Sequence, residues 1–383
     1  MNNKRRICFI ITSRIHYARN KILMKLVNED PEFKTQLIVG GSALLAKYGD
    51  ILPNLQADGF RSVDKLYTSI EGGDNIAMSK TTGLAVIEFT TALQRFKPDI
   101  VVLRGDRFEV LAAAIAAAYL NKTIAHIEGG DLSGSIDESV RHAISKLSHI
   151  HFVTNEKSRD RLVKMGEQPD FVHQVGSLDI EFLAQTPPEI LDEKHLNFTG
   201  VGATIDFKKP FIIVMQHPVT TGEDNFKNVN ETLRAIQESG VQAFWFWPNI
   251  DAGTDDISKA IRLFREQHDQ YQIRFIRHLS PEQFAALLKR AACLVGNSSA
   301  GIKEASYLGL PAVNIGTRQQ NRLAGSHILN VVYDHREIAE AIKKQLAHGS
   351  YPSSDLYFKA GTSRLIFDIL KKTPLYTQKK FYD

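Results

Sequence analysis

Acidic and basic side chains able to move protons gather in one stretch of the chain. Asp106, Glu128, Asp131, Asp137 and Glu138 are interleaved there with Arg104, Arg107, His126, Arg141 and His142. Proton transfer at a carbon atom requires an acid and a base held close together with separated pKa values, and a mixed cluster can supply both. A lone Asp or Glu at a strand end is more simply a helix cap or half of an ion pair. Several of them at neighbouring strand ends point to chemistry.

A second set lies in the other half, in the turn Gly296-Asn297-Ser298-Ser299-Ala300-Gly301. Small residues between a strand and a helix free backbone N–H groups and hydroxyls to hold phosphate at the positive helix end. Arg318, one strand later, could pair with the same diphosphate. An N-cap beside a surface arginine is the plainer alternative. Glu304 falls deep in the helix expected over 302–308, too deep to cap it. Its carboxylate would then face the cleft or solvent, where it could accept the two hydroxyls of a ribose.

Familiar cofactor signatures are missing. No G-x-G-x-x-G follows the first strand, Gly200-Val201-Gly202 leaves that pattern incomplete, and there is no Walker A run. Bound NAD, and with it a mechanism by transient oxidation, is not expected. No His/Cys cluster has metal-ligand spacing, so neither metal nor cofactor is expected. His149 and His151 flank a strand start and read as structural, and Phe244 to Trp247 reads as a buried strand.

The elements that must position these residues alternate between short apolar runs and longer helical patterns, which implies parallel sheets covered by helices. Strands are expected at 7–11, 36–39, 100–103, 123–127 and 151–153, then at 211–215, 243–247, 273–276, 293–295 and 312–315. Helices are expected near 17–28, 77–96, 108–120, 136–146, 156–165, 226–239, 281–291, 336–347 and 362–372. A non-periodic, proline-containing segment over 185–209 divides two arrays. The fold class is therefore α/β with two Rossmann-like domains, 1–184 and 185–365, and a final helix and tail, 366–383, able to pack on either. Ligands of open α/β sheets bind beyond the carboxyl ends of the strands. The unusual residues fall there, so two half-sites facing each other across an interdomain cleft would enclose one ligand.

Bulk properties agree with this division. A chain of 383 residues, 43% hydrophobic and 23% charged, exceeds one ordinary core. Residues 110–120, the longest apolar stretch, are too few to span a membrane, and residues 1–6 carry charge without a signal-type segment. A cytoplasmic protein with no membrane partner is expected. A net charge of +4 without long basic runs argues against nucleic acid. Cys8 and Cys293 sit in apolar runs of different halves and read as two buried thiols.

Taken in order, the turns resemble the UDP-N-acetylglucosamine 2-epimerase family over nearly the whole chain. The resemblance rests on Gly105-Asp106-Arg107, His126-Ile127-Glu128-Gly129-Gly130, the run 133–142, His217-Pro218-Val219, Gly296 to Gly301 and Gly316-Thr317-Arg318-Gln319. It implies a GT-B-like fold with the active site between two domains, a UDP-sugar substrate and a homodimer or homotetramer. It implies catalytic roles for Asp106, Glu128 and Asp137. It also implies UDP binding by Arg14, Arg107, His217, Asn249, His278, Ser298, Ser299, Glu304 and Arg318. Segment 133–146 is similar to the hydrolysing branch, which releases free N-acetylmannosamine for sialic acid synthesis. The chain departs at Arg14-Ile15-His16-Tyr17, where relatives carry an acidic residue before the tyrosine, and this bears on the sugar accepted. A UDP-2,4-diacetamido-trideoxyhexose of the legionaminic acid route, the non-hydrolysing branch, a glycosyltransferase of the same fold and a non-catalytic sensor are the rival readings.

Overall fold

A computed structural model describes residues 4–45, 50–221, 224–248, 251–268 and 271–383. Two sheets organise the chain. The first contains β1 (Arg5–Ile11), β2 (Phe33–Gly40), β3 (Val63–Leu66), β4 (Ile100–Arg104), β5 (Thr123–Ile127), β6 (Ile150–Val153) and β7 (Val172–Gln174). The second contains β8 (Val201–Gly202), β9 (Phe211–Met215), β10 (Gln242–Phe246), β11 (Ile273–Ile276), β12 (Cys293–Gly296), β13 (Ala312–Ile315) and β14 (Ile328–Val331). Their orders are β3-β2-β1-β4-β5-β6-β7 and β14-β13-β12-β9-β10-β11-β8. All pairs are parallel except β8 with β11.

Central strands such as β4 and β12 are buried along their whole length, so helices cover both sheet faces, and Ile-Val-Val-Leu and Cys-Leu-Val read as unbroken apolar runs. Strand order reverses between β1 and β4 in one sheet and between β9 and β12 in the other. A crevice opens at such reversals, and here the two crevices face each other.

Most expected elements are present with shifted ends. The expectations omitted β3, β7, β8 and β14, the four short edge strands of the two sheets, where one neighbour suffices and polar residues such as Asp64 and Lys65 are tolerated. They also omitted the helix Thr254–Gln267, although Ile257, Ala260, Ile261 and Phe264 form its buried stripe. The segment 185–209 is not a bare connector. It holds a helix, Glu193–Phe198, and β8, which pairs with β11 of the second sheet.

The helix Thr362–Lys372 returns to the first sheet, where Ile366, Phe367 and Leu370 share a buried cluster with Ile7, Phe9 and Leu37. Beyond it, Tyr376 donates its hydroxyl to the His149 carbonyl at 2.8 Å, and Lys379 Nζ pairs with Glu167 at 2.6 Å. Cys8 and Cys293 are buried thiols in separate sheets. Among the described residues no helix is long and apolar enough to cross a membrane.

Candidate active site

One cavity of about 450 Å³ lies between the facing strand ends, lined by residues of both sheets. From the first come Arg14, Asp106, Arg107, Glu128 and Asp137; from the second come His217, His278, Ser298, Ser299, Glu304 and Arg318. Asn249 lies outside the described residues. The cleft is closed by direct contacts. Gly134 donates its N–H to the Arg318 carbonyl at 3.0 Å, Arg322 Nε to the Leu132 carbonyl at 3.1 Å, and Gly253 N–H to the Gly73 carbonyl at 3.0 Å.

Asp106 follows β4, where Gly105 turns with φ +76°. The Gly105 carbonyl is 2.8 Å from His126 Nε2 and the other ring nitrogen is 3.0 Å from Ser145 Oγ, which locks the turn. Burial lowers the His126 pKa to about 4, so the ring is neutral. Asp106 pairs with the buried guanidinium of Arg141, which also donates to the Asp131 carbonyl at 2.7 Å. Burial alone would raise the Asp106 pKa, but Arg141, Arg322 and Arg318 outweigh it and hold the carboxyl at about 2.

Glu128 follows β5 with φ +69°, a left-handed conformation that non-glycine residues adopt at a cost and retain where surroundings enforce it. Its Oε1 receives Arg104 Nη2, Ser177 Oγ and Lys303 Nζ, each at 3.1 Å. Against the upward push of burial, Arg104, Lys303 and Arg19 keep its pKa well below the ordinary carboxylate range. Asp137 is the opposite case. It stands in the first turn of the helix Ile136–Leu147, accepts from Ser135 Oγ at 2.9 Å and meets Arg318 Nη2 across the cleft at 3.4 Å. Burial first, then the neighbouring Asp106, raises its pKa despite Arg318. Asp137 is thus driven apart in proton affinity from Asp106 and Glu128.

On the facing side, Asn297 ties two turns together: it accepts from His217 N–H at 2.7 Å and donates to the His217 carbonyl at 2.8 Å. Burial, then Arg318, lowers the His217 pKa to about 3, so the ring is neutral. The Arg318 guanidinium donates to the Asn297 carbonyl at 3.3 Å besides meeting Asp137. Arg14 and His278 adjoin each other in the cavity wall, and burial, with Arg14 and Arg277 nearby, lowers the His278 pKa. Arg107 is already shared: it bonds Glu109 at 3.0 and 3.1 Å and reaches Asp251 at 3.4 Å.

Two expectations need correction. The helix expected over 302–308 begins later: a tight turn over Ser299–Gly301 precedes a helix of five residues, Glu304–Leu308. Ser298 Oγ accepts from the Ala300 N–H at 3.3 Å, capping its own turn, so a helix macrodipole contributes little to anion binding. Glu304 begins that helix instead of lying deep within it. It is buried, its Oε1 accepts from Arg19 Nη2 at 2.8 Å, and burial raises its pKa.

Reading the sequence alone also left out residues that the cavity displays. Arg19, Asp179 and Lys303 form an ion network with Arg104 and Glu128, and Trp247, counted with a buried strand, stands just beyond β10 in the cavity wall. Opposite charges scattered over residues 19, 179 and 303 carry no local pattern by which they could be grouped with Arg104 and Glu128.

Similarities to known proteins agree with this architecture. The chain is 33% identical over 365 residues to UDP-N-acetylglucosamine 2-epimerase of Neisseria meningitidis, covering 94% of this chain and 92% of that protein. It is 32% identical over 375 residues to UDP-N,N'-diacetylbacillosamine 2-epimerase (hydrolyzing) of Legionella pneumophila, covering 98% and 97%. The crystal structure of Methanocaldococcus jannaschii UDP-GlcNAc 2-epimerase in complex with UDP-GlcNAc and UDP superposes with a TM-score of 0.79 at 17% identity, covering 96% of this chain and 99% of that one. That likeness establishes the GT-B-like arrangement of two Rossmann-like domains. A family profile described as UDP-N-acetylglucosamine 2-epimerase matches residues 25–371, and the chain belongs to that family.

Proposed function

We propose that the chain hydrolyses UDP-N-acetylglucosamine with inversion at C2, yielding N-acetylmannosamine and UDP. The observation that carries this reading is the single cavity lined by Asp106, Glu128 and Asp137 on one side and His217, Ser298, Ser299, Glu304 and Arg318 on the other. Similarity of segment 133–146 to the hydrolysing branch, and the hydrolysing activity named for the Legionella relative, support release of the free sugar used in sialic acid synthesis.

The chemistry follows from the substrate. C2–H of a 2-acetamido sugar is not α to a carbonyl, so it can be removed only as the C1–O bond to UDP breaks. Asp106 takes H2, the C–H electron pair becomes the C1=C2 bond of a 2-acetamidoglycal, and the C1–O pair departs with UDP. Arg14 and Arg318 receive the growing negative charge of the diphosphate. That anion also offsets Arg318 and Arg322, two of the charges that depress Asp106, and so raises its basicity in the complex. Water then adds its hydroxyl at C1 while a proton returns to C2 from the opposite face; the proton that the water gives up replaces the one delivered, and the H2 held by Asp106 passes to solvent as UDP is released. Asp137, the carboxyl with the raised pKa, suits that delivery. Glu128, pinned as an anion by Arg104 and Lys303, orients the water.

A UDP-2,4-diacetamido-trideoxyhexose is the second reading, favoured by the Legionella relative and by Ile136, Val140, Phe182 and Leu183 in the cavity wall, which suit added methyl groups. Incubation of each UDP-sugar in deuterated water separates the readings. Free sugar deuterated at C2 together with UDP is expected. A UDP-linked epimer identifies the non-hydrolysing branch, unlabelled transfer to an acceptor a glycosyltransferase, and no turnover a nucleotide-sugar binder. Asp106→Asn is expected to abolish C2 exchange while UDP binding, followed by calorimetry, persists; retained exchange removes Asp106 as the base.

A further inference from the structure

We propose that Lys303 is a positioning residue for this reaction: carried by the nucleotide-side domain, it fixes the Glu128 carboxylate of the opposite domain when the cleft closes. The inference rests on the reading given under Proposed function. Lys303 directly precedes the helix Glu304–Leu308 and is 4% exposed. Its ammonium lies 3.1 Å from Glu128 Oε1 and 3.9 Å from Asp179 Oδ2. A lysine charge removed from water needs an anion to offset its lost hydration; the two carboxylates within 4 Å belong to the first domain, and Glu304 beside it in the chain, itself paired with Arg19, adds a further negative charge from its own domain. The ion pairs with Glu128 and Asp179 therefore exist only in the closed arrangement.

Glu304, the next residue, repeats the device with the sign reversed, since it meets Arg19 across the cleft, and Arg19 in turn pairs with Asp179 at 3.0 Å. Two consecutive residues of opposite charge thus each find an opposite partner on the other domain. Groups facing Glu128 are Arg104 from β4, Arg19 from the helix Arg14–Glu29, Ser177 and Asp179 at the start of the helix Leu178–Gln185, the buried Tyr357, whose hydroxyl donates to the Leu323 carbonyl, and Lys303. Of the three donors on Oε1, Arg104 and Ser177 come from the domain of Glu128 itself. Lys303 alone of these arrives with the other domain, so it is the contact through which closure reaches the carboxylate. All three donors fall on one oxygen, which leaves Oε2 as the oxygen to engage water or sugar.

The test uses the full-length protein with the UDP-sugar that the wild type turns over. Lys303→Met keeps the stem and removes the charge, whereas Lys303→Arg keeps the charge. For Lys303→Met, kcat is expected to fall roughly tenfold or more while KM stays within about twofold. The acid-side loss of kcat should also move to higher pH by roughly one unit, because the carboxylate has lost a cation. Lys303→Arg should recover most of kcat and the original acid limb. Unchanged kcat in Lys303→Met, a loss with the acid limb unmoved, or equal damage in Lys303→Arg overturns the proposal. If Lys303→Met fails to fold, shown by lost UDP binding, Lys303→Gln takes its place under the same criteria. A wild type that releases no C2-labelled sugar and UDP removes the underlying reading; a wild type that does so beside an indistinguishable Lys303→Met removes this inference alone.

Discussion

The carboxylates carry opposite electrostatic burdens, and that difference is measurable. Asp106 keeps a pKa of about 2 in the fold because arginines outweigh burial, whereas an unfolded aspartate titrates near about 3.9. A depressed pKa means that the stabilisation is fully present above the unfolded value and disappears as pH falls through the folded one. Asp106→Asn is therefore expected to lower stability at neutral pH by up to about 2 kcal/mol, with the gap closing as pH falls towards about 2. Thermal melts at neutral and acid pH check this, and a gap that widens on acidification excludes the Arg141 pairing as its source. At this scale the sequence displayed Asp106, Glu128 and Asp137 because each sits beside glycines or small polar residues at an element end. It concealed Lys303 and Asp179, whose meaning depends on partners far away in the chain, from Arg104 to Lys303 in the case of Asp179.

Elements place these side chains through close backbone approach as much as through side-chain contact. Gly134 shows this most directly: a Cβ added there would lie 1.9 Å from the Thr317 carbonyl oxygen of the other domain. Backbone cannot yield as a flexible side chain can. Gly134→Ala is therefore expected to hold the domains apart, raising KM for the UDP-sugar and lowering kcat, each by roughly tenfold, while the melting temperature changes little. Steady-state kinetics beside a thermal melt test it; normal kinetics would mean that closure does not pass through this contact. The short helix after Ser298 belongs to the same scale. The helix expected over 302–308 starts two residues later, at Glu304, because the chain leaves the tight turn Ser299–Gly301 only after Ile302 and Lys303, and Gly309, with φ +63°, ends it as expected.

The whole molecule is two sheets joined by a cleft, with the end of the chain returned to the first. Phe367, 3% exposed, packs edge-on against Phe33 with ring centroids 5.5 Å apart, so the last helix completes the core of a domain whose sheet was finished nearly two hundred residues earlier. Phe367→Ala is expected to destabilise the protein by about 3 kcal/mol. Denaturant unfolding measures it, and a loss near zero would show the helix to be an ornament on the surface. Sequence by itself determined the alternation of strands and helices, the two arrays and the family-like turns, because these depend on local propensity, apolar period and motifs of a few residues. Tertiary structure alone decided where the last helix docks, which charges meet across the cleft, and which carboxyl holds a proton more readily. Those outcomes depend on distance and on exclusion of water between segments far apart in the chain, and neither quantity is written in any local stretch of sequence.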